Sequence, residues 1–365
     1  MNQRLSFDII LLIDCRKEAV MLYSFELINH ANIHYRKSIE KLARCELFCM
    51  LRSLHVAFGE ISVSHIGHVV FLSFETEKAL SENDLLYLSR HSSVSLMAEQ
   101  HESLLKPISV CYPGYLQEDL PEILKYKGKT GVPFTRFMIN TALSLSDYSH
   151  SASPITLLDP LCGRGTSLFC AAQAGMNAVG LDQDKKAVQE ADKYFSRYLQ
   201  TYHLKHVRSS SSETAKGQSL PVISFTFSDT KEHAKAGDSR FLRIACGDSS
   251  LSSVLTRRTS AHILVADLPY GVQHAPREAG SKPESFSAFL RRCLGGWFES
   301  LLPGGVIALS FNELTLPAKD LLTLLSHAGF SPLQDEPLGD LRHEVEQAVS
   351  RNVLFALKQK EASSS

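Results

Sequence analysis

Three aspartates stand where short apolar runs of the sequence end, and carboxylates in such positions can bind a nucleoside. Asp159 ends the run ITLLD, Asp182 ends NAVGLD, and Asp248 ends FLRIACGD. An acid after the second strand of a nucleotide-binding unit can accept hydrogen bonds from both ribose hydroxyls. An acid after the third strand lies within reach of an adenine amine. We therefore expect the three carboxylates to line one site for an adenosine-like ligand.

The turn after Asp159, PLCGRGT, supplies the backbone that such a ligand would approach. Its glycines allow a tight turn and close contact, and Thr166 opens the next helix. The third glycine of a dinucleotide-binding turn is absent, and no G-x-x-x-x-G-K-[ST] loop occurs. The pattern favours a nucleoside without phosphates, such as S-adenosylmethionine. The alternative is that these glycines form plain turns and the acids lie at the surface. The predicted cofactor residues of the turn are Cys162, Gly163, Gly165 and Thr166.

A second motif, D-L-P-Y-G at 267–271, follows the apolar run HILVA and could position an amine. An exocyclic amine on a base is a poor nucleophile, because its lone pair is delocalised into the ring. The Asp267 carboxylate and a backbone carbonyl of Leu268–Pro269 could accept its two N–H bonds and orient it. Tyr270 offers a ring on which a base can stack. The alternative is an ordinary turn with Tyr270 packed in the core.

Strands that alternate with helices must place these motifs. From residue 154 onward, apolar runs at 155–159, 177–182, 241–248, 262–267, 304–311 and 350–358 predict strands, with helices at 167–175 and 185–200. This alternation is typical of a doubly wound parallel sheet, which binds ligands at the carboxyl ends of its strands. The low-complexity segment 205–219 predicts an exposed, mobile insertion.

The first 110 residues have a mixed pattern without a catalytic motif. We predict a strand near Phe7–Ile13, a helix around Ser38–Leu54, a strand at His68–Glu75 and a helix at Glu82–His91. Prolines and a glycine between 107 and 121 indicate a linker. The predicted organisation is an N-terminal α+β domain at 1–112, a linker and helix at 113–153, and the α/β domain at 154–360.

Composition excludes a strong global field for an anionic polymer, since the net charge is −1. A local basic groove remains open. Lys127, Lys129 and Arg136 could track a phosphate backbone or form a solvated face, and His274 could contact substrate or be a plain loop residue. The eight cysteines are scattered without a C-x-x-C pair, so we expect reduced thiols, core packing for Cys45 and Cys49, no metal site and a cytoplasmic location. No signal peptide is expected at the N-terminus.

Several of these motifs in order resemble the tRNA guanine-N2 methyltransferase group, whose members often carry an N-terminal THUMP domain. The resemblance covers roughly residues 117–358, through YKGKTGVPFTR, DPLCGRGT, GLDQD, CGDSS and VADLPYGVQH. It implies a Rossmann-like class I methyltransferase that uses S-adenosylmethionine, with tRNA or another structured RNA as partner. Residues 1–112 could then be a diverged THUMP-like RNA-binding domain. By resemblance, the cofactor positions are Asp159, Gly163, Gly165, Asp182 and Asp248, with Pro133 and Thr135 near the methionine end, and the target-base positions are Asp267, Pro269 and Tyr270.

Other activities stay open at this point. A D/N-P-P-Y-type loop also serves DNA adenine and protein-glutamine methyltransferases, and this chain has Leu268 where many such loops have a first proline. A non-catalytic cofactor-binding module is a third hypothesis. A hydrolase is not supported, because the sequence has no G-x-S-x-G elbow.

Overall fold

Two β-sheets organise the described part of the chain. The computed structural model describes residues 20–28, 33–124, 129–215, 217–269, 285–346 and 349–360. The first sheet is antiparallel, in the order β2-β3-β1-β4-β5. Its elements are β1 Met21–Leu27, α1 Ile33–Ser53, β2 Ser62–Ile66, β3 Val69–Thr76, α2 Glu82–Leu88, β4 Val94–His101 and β5 Leu104–Pro107.

The second sheet has ten strands within the described residues. Its strands are β6 Thr156–Asp159, β7 Asn177–Asp182, β8 His206–Ala215, β9 Gln218–Phe227, β10 Arg240–Cys246, β11 Ala261–Asp267, β12 Leu301–Asn312, β13 Ser331–Leu333, β14 His343–Glu346 and β15 Val349–Leu357. The helices are α3 Leu120–Ile123, α4 Val132–Leu145, α5 Thr166–Gln173, α6 Lys185–Thr201, α7 Lys231–Ala236, α8 Ser252–Thr256, α9 Phe286–Ser300 and α10 Ala318–His327, and a 3-10 turn spans Ser249–Leu251.

Five neighbouring strands of this second sheet are parallel, in the order β10-β7-β6-β11-β12. In chain order that is 3-2-1-4-5, so the direction of winding reverses between β6 and β11. The predicted Rossmann-like α/β sheet with an N-terminal α+β unit is confirmed. The sheet is not parallel throughout, because β15 runs antiparallel to β12 and β9 runs antiparallel to β10. Ligands of such folds bind at the reversal point, which here lies between the ends of β6 and β11.

Helices cover both faces of the parallel strands, because these strands are apolar on both sides. One face packs against α4, α5 and α6, around buried side chains such as Phe137 and Phe195. The other face packs against α8, α9 and α10, around Trp297 and Leu325. Burial of these apolar side chains therefore fixes the helices against the sheet.

The segment 205–219 differs from its prediction. It is exposed, as expected, but instead of an irregular insertion it forms β8 and the turn into β9. The two strands pair from His206↔Phe227 to Ala215↔Gln218. The β9 side chains Leu220, Val222, Phe225 and Phe227 are buried and anchor the hairpin to β10. The serines of β8 contribute backbone hydrogen bonds, which side-chain composition does not reveal.

In the N-terminal unit, the predicted helix at 38–54, strand at 68–75 and helix at 82–91 correspond to α1, β3 and α2. The predicted strand at 7–13 lies outside the described residues. The helix α1 packs its Ala43 and Leu47 side chains into the first sheet, and its Leu42, Cys45 and Cys49 side chains against the second unit. Both thiols are thus core residues, as predicted. The domain boundaries at 112 and 153 stay predictions.

A buried carboxylate joins the two units. The Glu46 side chain on α1 is fully buried and accepts hydrogen bonds from Asn140 Nδ2 of α4 at 2.8 Å and from the Ser92 backbone at 2.9 Å. The Ser92 hydroxyl donates to it as well, at 2.5 Å. Removing a buried acid with several donors destabilises the fold, because its donors lose their acceptor.

In the described part of the chain, no helix is long and apolar enough to cross a bilayer.

Candidate active site

Asp159 lies at the carboxyl end of β6, beside the reversal point of the sheet. The side chain is only 6% exposed, and its oxygens accept hydrogen bonds from the Leu161 backbone at 2.9 Å and from the Ser167 hydroxyl. Burial raises the pKa of Asp159 to about 7; the two hydrogen bonds oppose this rise, and the nearby charges of Asp182 and Asp267 add to it. Burial disfavours the ionised form of this carboxyl group, and a cationic ligand nearby would stabilise that form.

The turn from Asp159 to Thr166 uses its backbone donors internally. Gly165, at φ +88°, occupies the N-cap of α5, where a Cβ atom would stand 3.2 Å from the Phe169 ring. A phosphate-binding turn points its backbone N–H groups at the ligand, whereas this turn satisfies several of them within the protein. Four of its N–H groups donate to protein acceptors: Leu161 to Asp159 Oδ1 at 2.9 Å, Cys162 to the Leu181 carbonyl at 3.1 Å, Gly163 to Asp182 Oδ2 at 2.8 Å, and Gly165 to the Cys162 carbonyl at 2.7 Å. This turn is therefore unlike a phosphate loop.

Gly163 borders open space. It has φ +51°, and a Cβ atom added to it would meet no atom within 4 Å. By contrast, Cys162 is buried beneath the turn, and burial raises the pKa of its thiol well above the ordinary value. Gly180 of β7 makes room for that thiol, since a Cβ there would lie 2.9 Å from Cys162 Sγ and 2.5 Å from Leu168 Cδ1. The open side of the turn is thus at Gly163, and the Cys162 thiol packs underneath.

Asp182 is the last residue of β7, and Asp248 follows β10, at the same edge of the sheet. Besides Gly163, the Asp184 backbone donates to Asp182, at 2.8 Å, and burial raises the pKa of Asp182. Asp248 lies two residues beyond β10, where it caps the 3-10 turn and forms an ion pair with Arg292 of α9 at 2.5 Å. Burial alone would raise the pKa of Asp248, but hydrogen bonds from Ser250 and Arg292 lower it overall. Asp248 is consequently an ionised acceptor.

Asp267 lies at the end of β11, directly across the reversal point from β6. The Thr130 hydroxyl, in the segment before α4, donates to Asp267 Oδ2. The Arg351 guanidinium of β15 approaches the same oxygen, with Nη2 at 3.9 Å. The following Leu268 is buried, and its N–H donates to the Ser310 carbonyl of β12 at 2.8 Å. The strand end is therefore anchored on both sides of its carboxylate.

Sequence reasoning missed the neighbours of Asp267. Arg351 and Thr130 lie in other elements, and the quoted motif YKGKTGVPFTR was the only signal for the latter. His343 pairs with Arg351 across β14 and β15, and its ring lies 5.3 Å from the Phe134 ring. Its Nδ1 donates to the Leu341 carbonyl at 3.0 Å, and burial lowers its pKa to about 4. The imidazole is therefore neutral at neutral pH.

The other predicted residues are placed unevenly. Pro133 lies in the first turn of α4, and Thr135 is buried, with its hydroxyl donating to the Gly131 carbonyl at 3.2 Å. Lys129 Nζ donates to the Pro121 carbonyl at 2.5 Å, and Arg136 donates to Gln173 Oε1 at 3.4 Å, at the far end of α5 from Gly165. Phosphate contacts by these two cations stay predictions. Three predicted residues, Lys127, Tyr270 and His274, lie outside the described residues.

Comparisons with known proteins give likenesses among solved structures. TrmN from Thermus thermophilus is 17% identical over 82% of this chain and 59% of that chain, with a TM-score of 0.38. The rRNA methyltransferase aviRa from Streptomyces viridochromogenes is 15% identical over 64% of this chain and 88% of that one, at 0.36. A SAM-dependent methyltransferase from Agrobacterium tumefaciens is 13% identical over 72% of this chain and 68% of that one, at 0.39. No family model and no curated protein matches the sequence.

These likenesses are distant, and the chain spans less than two thirds of the TrmN structure. With TM-scores below 0.5, they carry no functional conclusion. The fold assignment rests on the strand order 3-2-1-4-5, the crossing helices and the site at the reversal point.

Proposed function

We propose that this chain is an S-adenosylmethionine-dependent methyltransferase that acts on an exocyclic amine of a nucleic-acid base. The observation that carries the proposal is the internal use of backbone donors in the turn from 159 to 166, beside carboxylates at the ends of neighbouring strands. Carboxylates repel phosphate, and four backbone donors of the turn already have acceptors within the protein. The same acids suit the hydroxyls, amines and positive charge of an adenosyl sulfonium.

The described residues fit that cofactor. Asp182 would accept the ribose hydroxyls, Asp248 would hold the adenine edge, and Asp159 would face the positively charged portion. The open space above Gly163 allows a ligand to approach the backbone. S-adenosylmethionine, when bound, supplies a methyl group on a sulfonium, which makes that carbon an electrophile. Thr166 and Pro133, at the first turns of α5 and α4, are proposed to border it.

Asp267 is the proposed group for the amine. Its carboxylate accepts an N–H of the target base, and a carbonyl of the Leu268–Pro269 backbone accepts the second. Together they hold the nitrogen lone pair toward the electrophilic carbon. Positioning of this kind supplies much of the rate enhancement when the nucleophile is weak. The Ser310 carbonyl, which holds the Leu268 N–H at 2.8 Å, keeps this strand end fixed.

The substrate that we propose is guanine N2 in tRNA, and the support for this choice is the resemblance of the ordered motifs to the tRNA guanine-N2 methyltransferase group. Within residues 20–112 there are eight Lys or Arg against ten Asp or Glu, so that unit has no excess of positive charge. We therefore do not assign RNA binding to it. A cytoplasmic location stays a prediction.

Nucleoside mass spectrometry tests the substrate. RNA and DNA from cells with and without the gene are digested and compared. Loss of a methylated guanine from the tRNA fraction supports the proposal. Loss of methyladenine from DNA would redirect it to the corresponding activity, and peptide mass spectrometry of the same cells would detect a loss of methylglutamine from protein.

A binding and transfer experiment tests the mechanism. Calorimetry measures S-adenosylmethionine affinity, and radiolabelled methyl transfer to tRNA from the deletion strain measures turnover. For Asp267→Asn, we expect an affinity within about 3-fold of the wild type and turnover at least about 100-fold lower, the scale of a misplaced reacting group. Asp320→Asn, at an exposed site on α10, is the matched control. Absence of cofactor binding by the wild type would indicate a different function.

A further inference from the structure

Arg351 is a buried cation that lies beside the Asp267 carboxylate. The residue is 8% exposed, and it lies on β15, which pairs with β12, the neighbour of β11. Its guanidinium lies over the Phe134 ring of α4, with 4.7 Å between the guanidinium carbon and the ring centroid. Its Nη2 lies 3.9 Å from Asp267 Oδ2. An arginine stacked on an aromatic ring is held in a defined plane, unlike a free surface lysine.

Two groups from distant parts of the chain thus converge on one oxygen of Asp267. The Thr130 hydroxyl, from the segment before α4, donates to Oδ2, and Arg351 approaches it from β15. A carboxylate can rotate about its last bond with little resistance, since that torsion is broad. Contacts on one of its oxygens from two sides restrict that rotation.

The charges around Arg351 favour this direction of action. Its cross-strand neighbour His343 is held neutral by burial, which lowers its pKa to about 4. Phe134, on the other side, carries no formal charge. The neighbouring strand residue in register on β12 is the neutral Asn312. Of these neighbours, Asp267 carries the negative charge.

We propose that Arg351 is a positioning residue for methyl transfer, which acts by fixing the Asp267 carboxylate in the plane that accepts the substrate amine. The inference rests on the proposed function. Arg351 does not touch the reacting atoms in this scheme. Its removal lowers turnover because the carboxylate loses its orientation, and it leaves cofactor affinity unchanged because the acids that hold the cofactor lie after other strands.

A double-mutant cycle separates this role from simple core packing. The variants are Arg351→Met, Asp267→Asn and the double variant. The control is Arg342→Met, at the exposed residue just before β14. The readouts are kcat and KM for tRNA at saturating S-adenosylmethionine, cofactor affinity by calorimetry, and Tm. In the wild-type background, we expect Arg351→Met to lower kcat about 30-fold or more, within the range for a misplaced catalytic group, with cofactor affinity within about 3-fold.

In the Asp267→Asn background, Arg351→Met should change kcat less than about 2-fold, because groups that act as a unit are not additive. Arg351→Lys keeps the charge but loses the planar fork, and it should recover part of the loss; it replaces Arg351→Met in the cycle if that variant does not fold. Equal losses in both backgrounds, or wild-type kcat for Arg351→Met, would overturn the inference alone. Absence of methyl transfer by the wild type would overturn the proposed function and the inference together.

Discussion

Replacing Asp159 by asparagine should change how the stability of the protein depends on pH. Asparagine keeps the shape of the side chain and an oxygen for the Leu161 N–H, but it cannot ionise. Burial raises the pKa of Asp159 from 3.8 to about 7. Between these values the folded protein binds more protons than the unfolded chain does. The contribution of Asp159 to the free energy of unfolding therefore falls as pH rises through this window.

The magnitude follows from the shift. Each unit of pKa corresponds to about 1.36 kcal/mol, so the full effect is about 4 kcal/mol, and the part between pH 5 and pH 8 is about 3 kcal/mol. Solvent screening reduces this free-energy effect only slightly, because the Asp159 side chain is only 6% exposed. The difference in unfolding free energy, variant minus wild type, should increase by that amount from pH 5 to pH 8.

Urea unfolding at pH 5, 6, 7 and 8, without cofactor, measures this difference. Subtraction removes the contributions of groups that titrate equally in both proteins, and a constant offset from altered hydrogen bonds does not change the slope. Asp320→Asn, at an exposed position, is the control, for which we expect a change within about 0.5 kcal/mol. Parallel curves for wild type and Asp159→Asn would refute the reasoning that burial dominates at this carboxyl.

Three further substitutions test the packing around the site. Gly180→Ala should destabilise the fold by about 1–3 kcal/mol in urea unfolding, since the new Cβ would lie 2.5 Å from Leu168 Cδ1; an unchanged midpoint would contradict this. Glu46→Ala should cost about 3–5 kcal/mol, because buried donors such as Asn140 Nδ2 lose their acceptor; a loss below 1 kcal/mol would argue against a buried joint. His343 has its pKa lowered to about 4, so stability is lost as pH falls from about 6.5 toward 4. His343→Gln should retain about 3 kcal/mol more than the wild type over that fall, and equal acid sensitivity would contradict it.

The order of elements and the strand-end acids could be predicted from the sequence, because their signals are local. A strand buried on both faces is an unbroken apolar run, as in ITLLD and HILVAD, and the residue that ends the run lies at the edge of the sheet. The strand 177–182 was predicted with the bounds that β7 has. The predicted helix at 167–175 has a glycine as its last residue, and Gly175 has φ +74°, with the Met176 N–H donating to the Ala171 carbonyl at 2.9 Å.

The hairpin of β8 and β9 could not be predicted in this way. Backbone N–H and C=O groups are the same for every residue except proline, so a serine-rich segment can pair as an edge strand without an apolar pattern. Its partner strand supplies the buried side chains, Leu220 and Val222 among them. The tertiary structure alone decided that this segment belongs to the sheet.

The sequence by itself determined which acids end the strands and that a glycine turn lies between the first two of them. Only the tertiary structure decided what those groups can do. In the folded protein Asp159 is buried, which raises its pKa to about 7, and the Gly163 N–H donates to Asp182. Thr130, which precedes Asp267 in the sequence, and Arg351, which follows it, both contact one oxygen of Asp267. Burial, donor use and convergence depend on distances between remote segments, and no local pattern encodes those distances.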